Sequence, residues 1–428
     1  MRVLFYHRNC GFNGVTAWMS DLAGGLKARG IDVSFWFLGG SAERVAPFEA
    51  LGPTGVGPAA ALVKQLKQDP PDIVHVASAD LWSLALTLPN RGERLVASNH
   101  GHVSGVWNST NCLALTACSR DMAALEQPFT DVAVDLIHNG VSLDRFHRAD
   151  RIARDERPII AWVGRVKDAK QKDFARFSRV ATILAARGFR IWVADGSAAT
   201  PTDVAGPEFG TPHYDAWRTR LEFSEMADFY RSVAASGGVV LMTSRYEGFP
   251  LVPLEAAACG AATIGSDVIG LREAILPETG LVYPADATDA EIADAVANWI
   301  AASPPSFAAF ETRAAVVERM FGVREMVDRF TDVYARSTPI LARKRALLPD
   351  PLPSGASTSI EGPATRTQRH RAVWPSLARD LHELGEHGLA LRAAGNAVLF
   401  APSSLASPAT ATGLLSTSIR AAAGLIRR

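Results

Sequence analysis

Short runs of large apolar residues alternate along this chain with polar turns and with stretches of helical periodicity. The clearest unit spans residues 237–273. Its apolar run Val239–Met242 predicts a strand buried on both faces. The polar loop 244–250 follows, and a helical pattern then covers 251–259, with a proline in its first turn. The run 261–264 predicts the next strand, so the loop lies at the carboxyl end of a parallel sheet, where such sheets bind ligands.

The same alternation predicts the domain organisation. Strand and helix patterns indicate one parallel α/β domain over residues 1–150 and a second over residues 157–322, with a linker of mixed charge between them. A helical pattern at 323–337 follows the second domain. Residues 338–428 form an extension of unknown role, which begins with a linker rich in Pro, Ser, Gly and Thr. Its uncharged stretch 393–419 fits either a disordered segment or one that binds a partner or a membrane surface.

Composition narrows the class of protein. The 428 residues include 44 basic and 44 acidic side chains, so the net charge indicates no nucleic-acid partner. The four cysteines show no paired spacing, which favours a reducing compartment and argues against a disulfide framework or a zinc site. The first apolar run is too short for a signal peptide, and no stretch predicts a membrane span. We therefore expect a cytoplasmic protein, with peripheral contact at the inner face of the membrane as a further option.

Two glutamates flank the start of the helix in the clearest unit. Glu247 lies in the loop and Glu255 lies inside the helix. Between them are the free N–H groups that a helix start presents to an anion. If an anion binds there, one carboxylate lies beside it and the other lies beyond it. The two carboxylates are then placed to accept hydrogen bonds from two different sugars. The alternative is structural: Glu255 only complements the helix dipole, and Glu247 is a solvated loop residue.

The local sequence around these glutamates resembles that of a known family. Seven residues separate Glu247 from Glu255, in the context SRYEGFPLVPLEAAACG. This resembles the paired-glutamate motif of retaining glycosyltransferases of the GT-B type, family 4. The resemblance extends over roughly residues 1–335. It implies an α/β fold of two facing Rossmann-like, doubly wound domains with a nucleotide-sugar cleft between them, and a final helix that crosses back to the first domain.

The start of the second domain carries two basic candidates. The segment VGRVKDAKQKDF resembles a loop of the family in which a Gly-Arg pair is followed by a lysine five residues after the arginine. In this chain the arginine and the lysine correspond to Arg165 and Lys170. An Arg fork and a Lys ammonium stabilise the charge of a departing nucleoside diphosphate. Gln171 stands where the family often has Gly, so Lys172 is a second candidate for the diphosphate contact. Without the resemblance, these side chains are expected to be solvated surface charges.

The first domain supplies two further candidates. In the loop NCGFNGVT, Gly14 precedes a helix, and the resemblance places its backbone near a phosphate, although Asn13 replaces one glycine of the family's pair. In NHGH, His100 follows a predicted strand, and the resemblance places it near the donor sugar, with His102 as the alternative. By themselves, a turn glycine and a lone histidine are more often structural.

The resemblance also implies a role for each part of the second-domain motif. Glu247 accepts hydrogen bonds from the donor sugar, and Glu255 accepts them from the ribose hydroxyls. Backbone groups of the helix start contact the donor, and they belong to Gly248, Phe249, Pro250, Leu251 and Val252. The chain has no Asp-x-Asp pair, so we expect no metal and no other cofactor.

The expected function is therefore the transfer of a sugar, with retention, from a nucleotide-sugar such as a UDP- or GDP-sugar. The acceptor hydroxyl is expected on a glycan or a lipid-linked molecule, in polysaccharide or glycoconjugate synthesis. Two alternatives remain open: a catalytically inactive GT-B partner protein that binds a nucleotide-sugar, and a sugar-nucleotide epimerase. An epimerase interconverts nucleotide-sugars without an acceptor, whereas a binding protein releases no nucleotide.

Overall fold

The computed structural model describes residues 1–336 apart from a few gaps, and beyond them only isolated positions. The gaps are residues 12, 78–94, 101–113, 128–132, 149, 151, 153–156 and 205. Within this part, the chain forms two α/β units, each built on one parallel sheet with helices on its faces. His102 and Cys112 lie outside the described residues.

The first unit contains a sheet of seven described strands in the order β3-β2-β1-β4-β5-β6-β7, all parallel. Its elements in chain order are β1 (Arg2–Cys10), α1 (Gly14–Ala28), β2 (Asp32–Gly40), α2 (Ala42–Glu49), β3 (Thr54–Val56), α3 (Ala59–Gln68), β4 (Ile73–Val76), β5 (Leu95–Asn99), β6 (Ala114–Ala117), α4 (Arg120–Glu126) and β7 (Val134–Leu136). The central strands are buried along almost their whole length, as their apolar runs predict.

The second unit contains a sheet of six described strands in the order β10-β9-β8-β11-β12-β13, again all parallel. Its elements are β8 (Ile159–Gly164), α5 (Phe174–Ala186), β9 (Arg190–Asp195), β10 (Ala216–Thr219), α6 (Phe223–Ala235), β11 (Val239–Met242), α7 (Val252–Ala258), β12 (Ala262–Ser266), α8 (Leu271–Ala274), β13 (Gly280–Tyr283), α9 (Asp289–Ala302), α10 (Phe307–Phe321) and α11 (Val323–Ala335).

Both sheets have the strand order of a Rossmann domain, which confirms the predicted fold class. In such a sheet the strand order reverses beside the first strand, and the loops on either side of the reversal leave a crevice. In the second sheet this point lies between β8 and β11. The loop after β8, residues 165–173, and the loop after β11, residues 243–251, therefore line the crevice. We call them the β8 loop and the β11 loop.

The last helix returns to the first unit. Gly322 has an extended backbone that separates α10 from α11. The neighbouring backbone bonds to Val141, whose N–H donates to Phe321 O (2.9 Å) and whose carbonyl accepts from Val323 N (3.2 Å). The apolar face of α11 then joins the core of the first sheet. Its buried residues are Met326, Val327, Phe330, Val333 and Tyr334.

A buried polar network also ties α11 to the first sheet. The Tyr334 hydroxyl lies 2.6 Å from His75 Nδ1, and His75 Nε2 lies 2.6 Å from Ser98 Oγ. Ser98 Oγ in turn lies 2.7 Å from Thr116 Oγ1. Burial lowers the pKa of His75 well below its usual value, so the ring is neutral and donates from one nitrogen while accepting at the other. The network fixes α11 across β4, β5 and β6.

Two adjacent glycines of α1 provide a test of this packing. A Cβ at Gly25 would lie 2.4 Å from Val327 Cγ2, whereas a Cβ at Gly24 would meet nothing within 4 Å. Alanine favours a helix over glycine by about 1 kcal/mol at either position. We therefore expect Gly24→Ala to raise the free energy of unfolding by about 0.5–1 kcal/mol. Gly25→Ala should lower it by about 1–2 kcal/mol, because the stiff Val327 side chain must move. Urea denaturation measures both, and equal effects would contradict the α1–α11 contact.

Candidate functional site

The β8 and β11 loops are fastened to each other. The backbone N–H of Arg245 donates to Gln171 O (2.8 Å), and Thr243 Oγ1 donates to the carbonyls of Lys172 (3.2 Å) and Asp173 (3.0 Å). The Arg245 guanidinium also donates to the Asp173 carboxylate (2.9 Å). Asp173 has a φ of 46° and caps the start of α5. Because their backbones are bonded together, the two loops form one rigid wall of the crevice.

Glu247 lies inside this wall, and three hydrogen bonds hold its carboxylate. The residue is 4% exposed. Lys172 Nζ and Ser244 Oγ each lie 2.6 Å from its Oε1, and Gln171 Nε2 donates to its Oε2 (2.9 Å). Its backbone N–H donates to Ile269 O (3.0 Å). Glu247 is therefore a buried, ion-paired carboxylate, and the alternative of a solvated loop residue is wrong.

The two candidate lysines occupy different environments. The Lys172 side chain is 14% exposed and pairs with Glu247, whereas Lys170 is exposed. A helical turn in the β8 loop, with Lys172 N bonded to Asp168 O (2.9 Å), separates them because neighbouring residues of such a turn point in different directions. Arg165 is also exposed, and its guanidinium lies 2.5 Å from Asp168 Oδ2. The geometry thus brings Lys172, and not Lys170, to the predicted sugar-binding carboxylate.

Glu255 lies in the first turn of α7 and is partly buried. The Tyr230 hydroxyl donates to its Oε2 (2.9 Å). Burial raises the pKa of Glu255 to about 7, with Asp21 adding to the rise while the Tyr230 bond and the Arg145 charge oppose it. Burial likewise raises the pKa of Asp21 to about 6, although Arg145 donates to that carboxylate at 2.5 Å. Glu255 therefore belongs to a titrating cluster that reaches from α7 to α1 of the first unit.

The start of the β11–α7 connection contacts the first unit directly. A Cβ on Gly248 would lie 2.5 Å from the carbonyl oxygen of His100, so only glycine allows this approach of two backbones. The Asn139 side chain donates to Phe249 O (2.8 Å). Phe249, Pro250 and Leu251 are buried. This part of the predicted donor-binding segment is thus held in place by the first unit.

His100 itself packs against Trp18, with ring centroids 4.2 Å apart. Burial lowers the pKa of His100 to about 3, the nearby His7 adds to this, and the Asn139 side chain opposes it. The imidazole is therefore neutral at physiological pH. Gly14, by contrast, is exposed, and a Cβ there would meet nothing within 4 Å. Its neighbour Asn13 caps α1 by accepting from Thr16 N (3.0 Å).

A second set of contacts crosses between the units at Glu273. Its carboxylate lies 2.6 Å from His138 Nε2 and accepts from the Arg120 backbone N–H (2.7 Å). Burial alone would raise the pKa of Glu273, but these hydrogen bonds lower it below its usual value. Asp121 also accepts from Gly270 N (3.3 Å). The partners of Glu273 are distant in the chain and give no local signal in the sequence.

Neither a metal centre nor a membrane span occurs in the part of the chain that the structure describes. No three or more His, Cys, Asp or Glu side chains are grouped there as metal ligands. No helix in these ranges has the length and apolar character to cross a membrane. The cationic candidates from the sequence, Arg165, Lys170 and Lys172, all lie in the β8 loop.

Two Rossmann-type sheets whose carboxyl-end loops meet across such contacts define a protein of the GT-B class. Comparison with sequence models of known families gives the same result for each unit. Residues 12–145 match the model described as Glycosyltransferase Family 4, and residues 157–302 match the model described as Glycosyl transferases group 1. Together the two matches span more than half of the chain. The chain belongs to the group 1 glycosyltransferases, as the paired-glutamate motif predicts.

Curated relatives share the family over part of their length. The D-inositol 3-phosphate glycosyltransferase of Mycolicibacterium paratuberculosis is 29% identical over 221 residues, which is 48% of this chain and 47% of that protein. The enzyme of the same name from Mycobacterium bovis is 31% identical over 156 residues, or 33% of this chain and 31% of that protein. The chain therefore spans half or less of the length of these relatives.

Solved structures show the same fold at low identity. Sucrose-phosphate synthase from Thermosynechococcus elongatus has a TM-score of 0.59 at 16% identity, and the match covers 78% of this chain and 98% of that one. The Anabaena protein HepE, solved in complex with UDP-glucose, has a TM-score of 0.62 at 14% identity, over 78% and 99% of the two chains.

The two lysines of the β8 loop form a matched pair for testing the buried ion pair. Lys172→Met leaves the buried Glu247 carboxylate without its counter-charge, so the free energy of unfolding should fall by roughly 3 kcal/mol. Lys170→Met changes only an exposed side chain, and its effect should stay within about 0.5 kcal/mol. Urea denaturation at neutral pH distinguishes them. A larger loss in the Lys170 variant would mean that the two side chains have been assigned the wrong way round.

Proposed function

We propose that this protein transfers a sugar, with retention, from a nucleotide-sugar donor to an acceptor hydroxyl. The observation that carries the proposal is the Glu247 carboxylate. It is desolvated and held by Lys172, Ser244 and Gln171 at the point of the second sheet where Rossmann-type domains bind ligands. A carboxylate fixed at this point by both crevice loops is suited to accept hydrogen bonds from sugar hydroxyls. Membership of the group 1 glycosyltransferases supports the same activity.

In this proposal, the donor lies across the two loops of the second unit. Arg165 and Lys172 stabilise the diphosphate, with Lys170 as the exposed alternative, and backbone groups of 248–252 contact the donor from the α7 side. The ribose hydroxyls donate to Glu255. The first unit supplies the opposite wall, with Gly14 near the phosphates and the neutral His100 near the sugar.

The proposed reaction is a substitution at the anomeric carbon. The bond from that carbon to the phosphate oxygen breaks, the acceptor oxygen forms the new bond on the same face, and the acceptor proton passes to the departing phosphate. The charge that develops on the nucleoside diphosphate is stabilised by Arg165 and Lys172. We propose no metal in this step, because Arg165 and Lys172 are proposed to supply the stabilising charge.

The identities of the donor and of the acceptor are proposed from proteins that are similar to this chain. HepE of Anabaena was solved with UDP-glucose, which places UDP-sugars first among the donors to test, with GDP-sugars beside them. We propose a glycan or lipid-linked acceptor in polysaccharide or glycoconjugate synthesis. The relatives named D-inositol 3-phosphate glycosyltransferase add a phosphorylated polyol to the acceptors to test.

A nucleotide-sugar screen tests the activity itself. A donor at a hundred times its Kd should raise the free energy of unfolding by about 2.7 kcal/mol, measured by thermal shift. It should also release its nucleotide when an acceptor is present. Glu255→Gln should weaken donor binding by tenfold or more, because hydrogen bonds to a charged acceptor are lost. Glu318→Gln, an exposed change on α10, is the control and should bind normally.

The other outcomes of the screen separate the alternatives. Donor binding without nucleotide release for any acceptor supports a binding partner protein. Conversion of one nucleotide-sugar into another without acceptor supports an epimerase. If no donor binds to the wild type at millimolar concentration, the proposed function is wrong.

The pKa of Glu255 predicts how donor affinity depends on pH. Its pKa of about 7 in the free protein means that much of the group is protonated below neutrality. Ribose hydroxyls that donate to the ionised carboxylate lower this pKa, so binding releases a proton. Affinity should therefore be about tenfold weaker at pH 6 than at pH 8 and level above it. Calorimetry in buffers of different ionisation enthalpy measures the released proton. A slope that persists in Glu255→Gln would assign the proton to another group.

A further inference from the structure

Gln171 is the uncharged amide partner of the Glu247 carboxylate, at the position where the resembled family often has glycine if its lysine corresponds to Lys170. Its side-chain amide donates to Glu247 Oε2 at 2.9 Å. A glycine has no side chain and cannot make this bond. The backbone of Gln171 is fixed as well, because its carbonyl accepts from Arg245 N (2.8 Å) and its N–H donates to Asp168 Oδ1 (3.3 Å). The amide therefore extends from a rigid position toward the carboxylate.

Counting hydrogen bonds shows which part of Glu247 remains open to a substrate. A carboxylate has about four acceptor positions, two on each oxygen. Lys172 and Ser244 occupy both positions of Oε1, at 2.6 Å each. Gln171 occupies one position of Oε2. A sugar hydroxyl can therefore donate to Oε2 alone, and it then lies directly beside the Gln171 amide.

The Gln171 amide has capacity left for a second hydroxyl. A primary amide carries two N–H donors and a carbonyl acceptor. Within the described residues, the bond to Glu247 is its only side-chain hydrogen bond, and the residue is partly exposed. One N–H and the carbonyl remain free. Neighbouring hydroxyl oxygens of a sugar ring are separated by a distance similar to that between Glu247 Oε2 and the Gln171 nitrogen.

We propose that Gln171 is a specificity-determining residue that, together with Glu247 Oε2, recognises two neighbouring hydroxyl groups of the donor sugar. This inference rests on the proposed function, because it assumes that Glu247 faces the donor sugar. Glu247 accepts from the first hydroxyl through its remaining position. Gln171 binds the adjacent hydroxyl and also fixes the orientation of the carboxylate. A donor that lacks either hydroxyl loses one of these contacts.

The test compares wild type, Gln171→Gly and Gln171→Leu against UDP-glucose, GDP-mannose and the monodeoxy analogues of each sugar ring. Both Kd and kcat/KM are measured. In the wild type, removing the hydroxyl bound by Glu247 should cost tenfold or more, and removing its neighbour should cost about fivefold, since the second contact is neutral. In both variants the smaller penalty should disappear while the larger one remains. A purely structural role would weaken all donors together and leave the ratio between analogues unchanged.

Gln171→Leu keeps a side chain of similar bulk. It therefore controls for the greater loop flexibility that Gln171→Gly introduces. Lys167→Ala, an exposed change in the same loop, should keep both penalties. If the wild type binds a donor but both variants retain the penalties of the wild type, Gln171 does not recognise the sugar, and the proposed function stands. If the wild type binds no nucleotide-sugar of the screen at millimolar concentration, the proposed function fails and this inference fails with it.

Discussion

The buried ion pair between Glu247 and Lys172 joins two loops that are far apart in the chain. The Lys172 ammonium lies 2.6 Å from the Glu247 carboxylate, and the side chains of Glu247 and Lys172 are 5% and 14% exposed, respectively. Water therefore screens their interaction only weakly. Placing a carboxylate in such a site is costly unless a counter-charge and hydrogen-bond donors compensate for the lost water. Ser244 and Gln171 supply two donors in addition to Lys172, and backbone bonds between the β8 and β11 loops hold these donors in place. This carboxylate therefore adds a side-chain link between the two loops that line the crevice of the second unit.

The contacts between the two units follow from the same loops. Gly248, one residue after Glu247, is the point at which the second unit meets the backbone of His100, and Phe249 accepts from Asn139. Farther along, Glu273 binds His138 and the start of α4. The wall that carries Glu247 is thus held from both sides, by the β8 loop within its own unit and by loops of the first unit. A shift of one unit against the other would move this wall directly.

The sequence predicts the fold and part of the site, for different reasons. Apolar runs buried on both faces give the strand positions, and their alternation with helical patterns gives the parallel sheets. The short β3 and the helices α2 and α3 are not predicted. Glu247 and Glu255 are predicted because both lie in one local motif.

The other partners at the site could not be predicted, because they depend on tertiary geometry. The choice between Lys170 and Lys172 is set by a turn within the β8 loop that no periodicity reveals. Tyr230 and Arg145, the neighbours of Glu255, come from a different helix and from the first unit, respectively. A sequence motif reveals functional residues that lie in one segment, whereas the partners of a buried charge depend on tertiary packing.

The state of Glu247 before any substrate arrives has a consequence for its proposed role. The carboxylate is already desolvated and oriented, and the free energy needed for this is supplied when the protein folds. A sugar hydroxyl therefore meets an acceptor that neither sheds water nor changes position on binding, which is the condition under which a hydrogen bond contributes most to affinity and selectivity. Lys172 is subject to a similar argument. Its ammonium carries three donors, of which Glu247 uses one, so the same side chain has capacity to stabilise a phosphate without releasing the carboxylate. The ion pair can thus persist through donor binding.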